Sequence, residues 1–308
     1  MAGLVVGTAK GLYELERDGS EPRADAGPLE GRQVIALSAG PGGVWALADG
    51  DTVLHRPAGG AWTELASTGE HELTCLLAAP DLVLLGAEPA RLLRLEDDQL
   101  EWVGSLDGTP GHETWHTPWG GPPAVRSMAR DQAGRLHVNV HVGGIPRSLD
   151  GGVSFQPTIE VDADVHQVLA HPELPDVVLA ATAAGLARSD DGGTHWRFEH
   201  QGMHARYCRA VAVAGEQILV SVSTGPAGRR AALYRTPIDG PASFERCTAG
   251  LPEWFDGNLD TGCLAAHGEQ AALGTADGSL FRSGDAGATW TRAAEGLPAV
   301  RAVAFSAA

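Results

Sequence analysis

The sequence predicts an all-β fold, a seven-bladed β-propeller with four-stranded blades, which residues 1–308 form as a single domain. A short motif, S-x-D-x-G-x-[S/T/H]-[W/F], recurs in register at residues 148–155, 189–196 and 283–290, and such repeats indicate a propeller or a solenoid. The 41 glycines and 19 prolines are spread between short apolar strands, which favours a chain that turns every few residues. No long segment sustains a helical periodicity.

The recurring motif has the residue types of a tight turn. The carboxylates of Asp150, Asp191 and Asp285 can accept hydrogen bonds from backbone N–H groups of their own hairpins. The following glycine tolerates positive φ, and the final aromatic residue can fold back between sheets. We therefore interpret these aspartates as structural rather than catalytic.

Repeat units of similar length surround these turns. The clearest unit covers residues 165–199, and similar units cover residues 33–65, 73–106, 124–159, 208–246 and 261–292. The seventh blade is split: the N-terminus supplies middle strands at Leu4–Thr8 and Gly11–Leu15, and the C-terminus supplies an inner strand at Val300–Ser306. Pairing these segments closes the ring and protects both sheet edges.

The motif resembles the Asp box, or BNR repeat, of sialidase-like and WD40/YVTN-like propellers. The resemblance implies that the motif joins the third and fourth strands, on the face away from the active site. It also implies that functional residues lie in the loops that lead into the inner strands. Sialidases place a tyrosine beside a glutamate as nucleophile, and Tyr207 is the tyrosine near this face. The sialidase Arg-Ile-Pro signature is absent near the N-terminus.

Composition excludes some partners. The net charge is −17 and the basic residues are scattered, so neither nucleic acid nor an anionic membrane surface is an expected partner. No apolar run reaches the roughly 20 residues that span a bilayer. The N-terminus lacks the pattern of a signal peptide, and the four cysteines form no CxxC pair. We expect a cytoplasmic protein with reduced thiols.

Polar and aromatic residues concentrate in the loops of the fourth to seventh blades. The longest irregular segment, residues 108–123, contains Glu113, Trp115 and Trp119, and loops of this length are uncommon unless they are functional or disordered. A later loop, residues 254–261, contains Asn258 and Asp260. We expect the tryptophans and Asn258 to bind a ligand, and Tyr207, Glu113 and Asp260 to be candidate catalytic groups.

Four histidines lie in successive loops or at strand ends of these blades: His116, His141, His166 and His204. Neutral imidazole is a common metal ligand, and three or four donors converging from rigid elements form a site. The set predicts a divalent transition metal, Zn, Cu, Mn or Fe. The alternative is that each histidine is hydrogen-bonded in a polar channel. The segment from His112 to His116 is interpreted as a loop rather than a metalloprotease helix.

Three arginines occupy one aligned position of the inner strands. Arg126, Arg209 and Arg301 superpose, together with His166 and Gln33. Guanidinium groups facing a channel could bind a carboxylate, sulfate or phosphate bidentately, and sialidases resemble this in their arginine triad. The alternative is that each arginine pairs with an acidic neighbour, such as Asp164 or Asp260, and holds blades together.

Three functions remain open from the sequence. The first is an enzyme or binder for a small polar or anionic molecule, with or without a metal, at the channel mouth. The second is a non-catalytic scaffold or assembly factor with a protein partner, because propeller assembly factors resemble this chain in repeat pattern. The third is a sialidase-like glycosidase that acts on acidic sugars.

Overall fold

The computed structural model describes residues 3–15 and 21–306, and seven antiparallel four-stranded sheets account for nearly all of its regular structure. Blade one contains β1 (Gly3–Thr8), β2 (Gly11–Leu15) and β3 (Arg23–Ala24), and blade two contains β4 (Val34–Gly40), β5 (Gly43–Ala48), β6 (Thr52–Arg56) and β7 (Thr63–Ser67). Blade three contains β8 (Glu72–Ala79), β9 (Leu82–Glu88), β10 (Arg91–Glu96) and β11 (Gln99–Trp102). Blade four contains β12 (Val125–Arg130), β13 (Leu136–Val140), β14 (Pro146–Ser148) and β15 (Gln156–Pro157).

The remaining blades follow the same order. Blade five contains β16 (Val165–Ala170), β17 (Val178–Thr182), β18 (Gly185–Ser189) and β19 (Arg197–Glu199). Blade six contains β20 (Tyr207–Ala214), β21 (Gln217–Ser223), β22 (Ala232–Pro237) and β23 (Glu245–Arg246). Blade seven contains β24 (Leu264–His267), β25 (Gln270–Gly274), β26 (Leu280–Ser283) and β27 (Thr291–Ala294), and the chain ends in β28 (Val300–Ser306).

The ring closes as the sequence predicts. Strand β28 pairs antiparallel with β1, with Gly3 opposite Ser306 and Val6 opposite Val303. It is therefore the inner strand of blade one, in the sheet order β28-β1-β2-β3. Both ends of the described chain are held in one sheet, which protects their edges.

Helical structure in the described residues consists of three 3-10 turns, Gly104–Gly108, His112–Thr114 and Val161–Ala163. The segment that begins at His112 is thus a turn rather than an α-helix, as expected. No helix in residues 3–15 and 21–306 is long and apolar enough to cross a membrane.

Apolar side chains fill the spaces between neighbouring blades. Leu92 of blade three packs against Leu136, Val138 and Phe155 of blade four, and all four are nearly inaccessible to solvent. The four cysteines are buried free thiols, and burial raises the pKa of Cys75, Cys208 and Cys263 to about 12. These thiols belong to the core and are unreactive in the native fold.

The recurring turns lie between the third and fourth strands of blades four, five and seven. In blade four the backbone N–H of Ser154 donates to Asp150 Oδ1 at 2.9 Å, and that of Gly152 donates to Ser148 Oγ at 2.8 Å. The aromatic residue that ends the motif, Phe155, is buried between blades. The aspartates therefore stabilise turns, as predicted.

The inner strands of six blades carry an irregularity in their pairing with the second strand. Each strand skips at least one residue at this point, and the skipped residues are Ile35, Thr74, Arg126, His166, Arg209 with Ala210, and Arg301. A skipped residue leaves the ladder, so its side chain is aimed in a new direction. The predicted alignment is correct for the arginines and His166. It is wrong for Gln33, because the bulge in blade two lies two residues later.

Candidate functional site

The bulged segments of blades five and six both contact one residue that precedes blade seven. The hydroxyl of Thr261, which precedes the inner strand of blade seven, lies 3.1 Å from the carbonyl oxygen of His166 and 2.9 Å from that of Arg209. Three blades thus come within hydrogen-bond distance at one point. We call the residues around this point the channel mouth: Arg126, His141, Asp164, His166, Tyr207 and Arg209.

Three side chains of the channel mouth form a compact donor group. His141, Asp164 and His166 each offer one ligand atom, and these atoms all lie within 4.8 Å of one another. One carboxylate oxygen of Asp164 is 3.1 Å from His141 Nε2, and the other is 3.6 Å from His166 Nε2. Both imidazoles are almost completely buried. Two of the four histidines predicted as ligands are therefore together, and a carboxylate lies between them.

The hydrogen bonds of His166 define its free nitrogen. His166 Nδ1 lies 2.5 Å from the carbonyl oxygen of Cys208, which can only accept, so the proton of a neutral ring is on Nδ1. His166 Nε2 is buried and has no hydrogen-bond partner among the described residues. A backbone carbonyl that orients one nitrogen and leaves the other as a lone-pair donor is common behind metal ligands.

Electrostatics favour a neutral imidazole beside an ionised carboxylate. Burial lowers the pKa of His141; Asp164 raises it, and the charge of Arg126 lowers it further. Burial raises the pKa of Asp164, but the two adjacent imidazoles outweigh this effect and keep the pKa below its ordinary value. Near neutral pH the group therefore presents a carboxylate and a neutral His141, the forms in which these residues bind metals.

The arginines of the channel mouth differ in their surroundings. Arg126 is partly buried, and burial together with the charge of Arg209 lowers its pKa. Arg209 Nε lies 2.7 Å from Asp260 Oδ1, and its Nη1 lies 3.4 Å from the hydroxyl of Tyr207. The ring of Tyr207 lies against His166, with centroids 4.7 Å apart. Arg301 is exposed.

The long loop before blade four contributes one aromatic side chain to this region. The ring of Trp119 lies 5.2 Å from that of His141, although the side chain is 67% exposed. Trp115 is buried in the core between blades three and four. His116 is exposed and its Nδ1 contacts the backbone carbonyl of Thr114, and Glu113 is exposed on the neighbouring turn.

His204 and Asn258 make contacts of a different kind. His204 lies against Tyr234 and Trp254, with ring centroids 5.8 and 4.9 Å away. The amide of Asn258 donates to the carbonyl of Pro226 at 3.1 Å, and so joins two loops. In the part of the chain that the structure describes, neither His116 nor His204 belongs to a group of metal-ligating atoms.

Asp164 is the residue of this group that the sequence analysis did not recognise as a ligand. It follows the 3-10 turn Val161–Ala163 and has a left-handed backbone conformation, with φ 48°. Its spacing to His166, with one residue between them at the start of an inner strand, is the signal that could have identified it. The sequence suggests it only as a partner for an arginine.

Comparisons with known proteins support the fold. No protein-family model matches the sequence, and no curated protein matches it. Among solved structures, the chain is similar to YCF48 bound to D1 peptide, with 14% identity, a TM-score of 0.59, and coverage of 93% of this chain and 86% of that one. It is also similar to the GH74 enzyme of Niastella koreensis, with 12% identity, a TM-score of 0.61, and coverage of 95% and 47%.

A third similar structure is the GH74 xyloglucanase of Xanthomonas campestris, with 17% identity, a TM-score of 0.57, and coverage of 84% of this chain and 45% of that chain. This chain spans about half the length of the two GH74 enzymes it matches. At these identities the likeness concerns the β-propeller fold.

Proposed function

We propose that this propeller is a metal-dependent binder or enzyme for a small anionic molecule at the channel mouth. The observation that carries the proposal is the donor group of His141, Asp164 and His166, whose ligand atoms lie within 4.8 Å of one another. Two imidazoles and one carboxylate are a donor set used by zinc and by non-haem iron. The remaining coordination positions would be open to a substrate.

The donor atoms fit a metal on chemical grounds. His166 Nε2 is a buried polar atom without a hydrogen-bond partner in the described structure, and such an atom is costly unless a ligand or an ion engages it. Asp164 Oδ1 is also buried, and its neighbour is His141 Nε2 at 3.1 Å. A divalent ion supplies a Lewis acid and lowers the pKa of bound water. The protein's part is to hold His166 on an inner strand, with His141 and Asp164 beside the ends of neighbouring strands, and to exclude competing ligands.

The adjacent arginines favour an anionic ligand. Arg126 forms no ion pair within the described residues; the charge of Arg209 lowers its pKa, and the charges of Glu88 and Asp164 raise it. Because neither carboxylate is paired directly with it, the Arg126 guanidinium would be available to bind a carboxylate or phosphate group. Tyr207, in contact with His166 and Arg209, is the candidate proton donor. Arg209 is oriented by Asp260.

The experiment is metal reconstitution of the full chain. Chelator-stripped protein is offered Zn, Mn, Cu or, without oxygen, Fe(II), then desalted and analysed by inductively coupled plasma mass spectrometry. We expect about one equivalent of at least one metal, as for a single three-ligand site. His166→Ala and Asp164→Asn should each reduce retention about tenfold or more, because a three-ligand site becomes a two-ligand site.

His116→Ala and His204→Ala are the matched controls, since each removes an imidazole that the sequence predicted as a ligand and that lies outside the donor group. They should retain metal as the unmodified protein does. The proposal fails if no metal is retained, or if these controls lose as much metal as His166→Ala.

Recognition of a protein segment is a second candidate function. Its support is the similarity to YCF48 bound to D1 peptide over most of both chains. It predicts that a partner peptide, identified by proximity labelling, protects the loops of blades four to seven from hydrogen exchange. The glycosidase hypothesis has less support, because Asp164 contacts two imidazoles and Asp260 pairs with Arg209, whereas glycosidases work with two available carboxyl groups.

A further inference from the structure

A second cluster of cationic and aromatic side chains lies on blade six, apart from the channel mouth. Its members, which we call the Trp254 cluster, are His204, Arg230, Tyr234, Arg246 and Trp254. The guanidinium carbons of Arg230 and Arg246 both lie 4.4 Å from the centroid of the Trp254 ring. The ring of His204 lies 4.9 Å from the same centroid. Three nitrogen-bearing side chains therefore surround one indole.

Strand pairing brings these residues together. Tyr234 and Arg246 are directly opposite in the pair of β22 and β23. An isolated antiparallel bridge joins Ala231 and Phe255, and it brings the segment that contains Arg230 next to the segment that contains Trp254. The loop before β20 then brings His204 over Tyr234. The cluster is thus fixed by backbone register.

The two arginines have no anionic partner in the described chain. Within residues 3–15 and 21–306 neither Arg230 nor Arg246 forms an ion pair. Glu245, the neighbour of Arg246 on β23, lies 3.7 Å from Arg235 instead, as expected because adjacent residues of a strand face opposite sides. Two positive charges held against one ring repel each other unless an anion lies between them.

His204 adds a hydrogen-bond donor. The Tyr234 hydroxyl oxygen accepts the backbone N–H of His204 at 3.3 Å and lies 2.9 Å from His204 Nδ1. Because the oxygen already accepts one bond, its proton is available to Nδ1, and the proton of the neutral ring is then on Nε2. His204 Nε2 is buried and has no partner with hydrogen-bond geometry in the described structure. Burial lowers the pKa of His204 and the charge of Arg230 lowers it further, and these effects outweigh a contact with the Arg230 backbone that raises it, which favours this neutral form.

We propose that the Trp254 cluster is a binding site for a tetrahedral oxyanion, a phosphate or a phosphate monoester. Two guanidinium groups and an imidazole lie against one indole ring and would donate hydrogen bonds to a bound anion. A phosphate has acceptor oxygens on every side and can bind all three groups, whereas a carboxylate offers two oxygens in one plane. The site shares no residue with the donor group of His141, Asp164 and His166. Its ligand would bind beside the outer strands of blade six.

Fluorine NMR of the full chain, with 5-fluorotryptophan at its eight tryptophans, tests the site. Trp254→Phe assigns the Trp254 resonance. Inorganic phosphate should shift this resonance saturably at millimolar concentrations, and sodium chloride of equal ionic strength should not. Arg230→Gln and Arg246→Gln should each weaken phosphate binding about tenfold or more, the expected loss of charge-assisted hydrogen bonds.

Arg91→Gln is the matched control, because the Arg91 guanidinium also lies over a tryptophan, Trp102, at 4.8 Å but without a second arginine. It should leave the phosphate titration unchanged. The resonance of Trp119, which contacts His141, reports separately on the channel mouth. The proposal is overturned if phosphate does not shift the Trp254 resonance, if both glutamine variants bind as the unmodified chain does, or if acetate binds as tightly as phosphate.

Discussion

At the scale of the residue, one skipped position in an inner strand decides which side chain reaches the channel. Arg126 and His166 are the extra residues in their strands, and both take part in the channel mouth. Strand alternation alone directs neighbouring residues to opposite faces of a sheet, whereas a bulge re-aims one of them. Because the side chain of a bulged residue is outside the ladder, substitutions at these positions mainly change binding rather than pairing.

The turn aspartates make a second residue-scale contribution, which depends on pH. Thr289 donates to Asp285 from its hydroxyl and its backbone N–H, and these bonds lower the pKa of Asp285 to about 2. A depressed folded pKa stabilises the native state fully above the unfolded value of about 4, and the effect is lost as pH falls towards 2. We expect Asp285→Ala to lower the free energy of unfolding by about 1 kcal/mol at pH 7, and by less at pH 3. Urea unfolding at both pH values measures this.

Asp239→Ala is the control for this prediction. Asp239 occupies the corresponding turn of blade six, but there the N–H of Ser243 donates to Thr236 Oγ1. The substitution should therefore have little effect at either pH. An equal loss of stability in both variants would show that the carboxylate of Asp285 does not stabilise its turn.

At the scale of the element, glycines after the outer strands let one blade contact the turn of the next. Ala249 accepts the backbone N–H of Trp290 at 2.9 Å, and Gln201 accepts that of Phe244 at 2.9 Å. The following residues, Gly250 and Gly202, have φ values of 84° and 93°. A Cβ atom at Gly250 would lie 1.7 Å from the carbonyl oxygen of Trp290. These contacts hold blades five to seven in fixed positions around the site.

We expect Gly250→Ala to be strongly destabilising, by roughly 3 kcal/mol, from left-handed strain plus a backbone clash. Gly296→Ala is matched to it, since Gly296 also has positive φ but no atom lies within 4 Å of a Cβ built there. That variant should lose only about 1 kcal/mol. Chemical denaturation of both variants measures the difference, and equal losses would show that the clash is relieved by a backbone shift.

The sequence predicted the blades because each strand and turn depends on local chemistry that repeats. It did not predict the grouping of side chains at the channel. The sequence predicts that His116 and His204 join His141 and His166 as metal ligands, because all four are expected in loops or at strand ends of one face. How far each loop extends from the axis depends on contacts such as that of His204 with Tyr234, which joins residues 30 positions apart. The bulge that re-aims the side chain of His166 cannot be recognised in a single sequence. The contact between His166 and Asp164 could therefore not be predicted, and Asp164 was considered only as a partner for an arginine.

At the scale of the whole molecule, charge and closure have separate effects. The net charge is −17, so cations are concentrated around the protein and anions are depleted. Arg126 and Arg209 place positive charge at the channel mouth, and Arg230 and Arg246 place it on blade six. If the proposed metal is bound, we expect a ligand with both a negative group and an affinity for that metal to be selected over a simple anion.

Ring closure gives the prediction at this scale. A chain that ends at Pro298 lacks β28, which exposes an edge of β1 and removes Val300 and Val303 from the core beside blade seven. We expect it to lose its single cooperative thermal transition, because open sheet edges and unfilled core remain. A chain that ends at Ser306, which keeps β28, is the control. Thermal melting curves of both chains, followed by circular dichroism, test this prediction. Identical curves would contradict the ring closure described above.

The same ring closure determines how long β1 remains unpaired while the chain is being synthesised. Gly3 and Ser306 form a contact across 303 positions of the chain. At about 5–20 residues per second, roughly 15–60 s pass between the synthesis of β1 and that of β28. Until then β1 presents an unpaired edge that other chains can join. In a circular permutant that begins between Ala24 and Val34, every blade would consist of consecutive strands. Each strand would then remain without its partner for only a few seconds of synthesis.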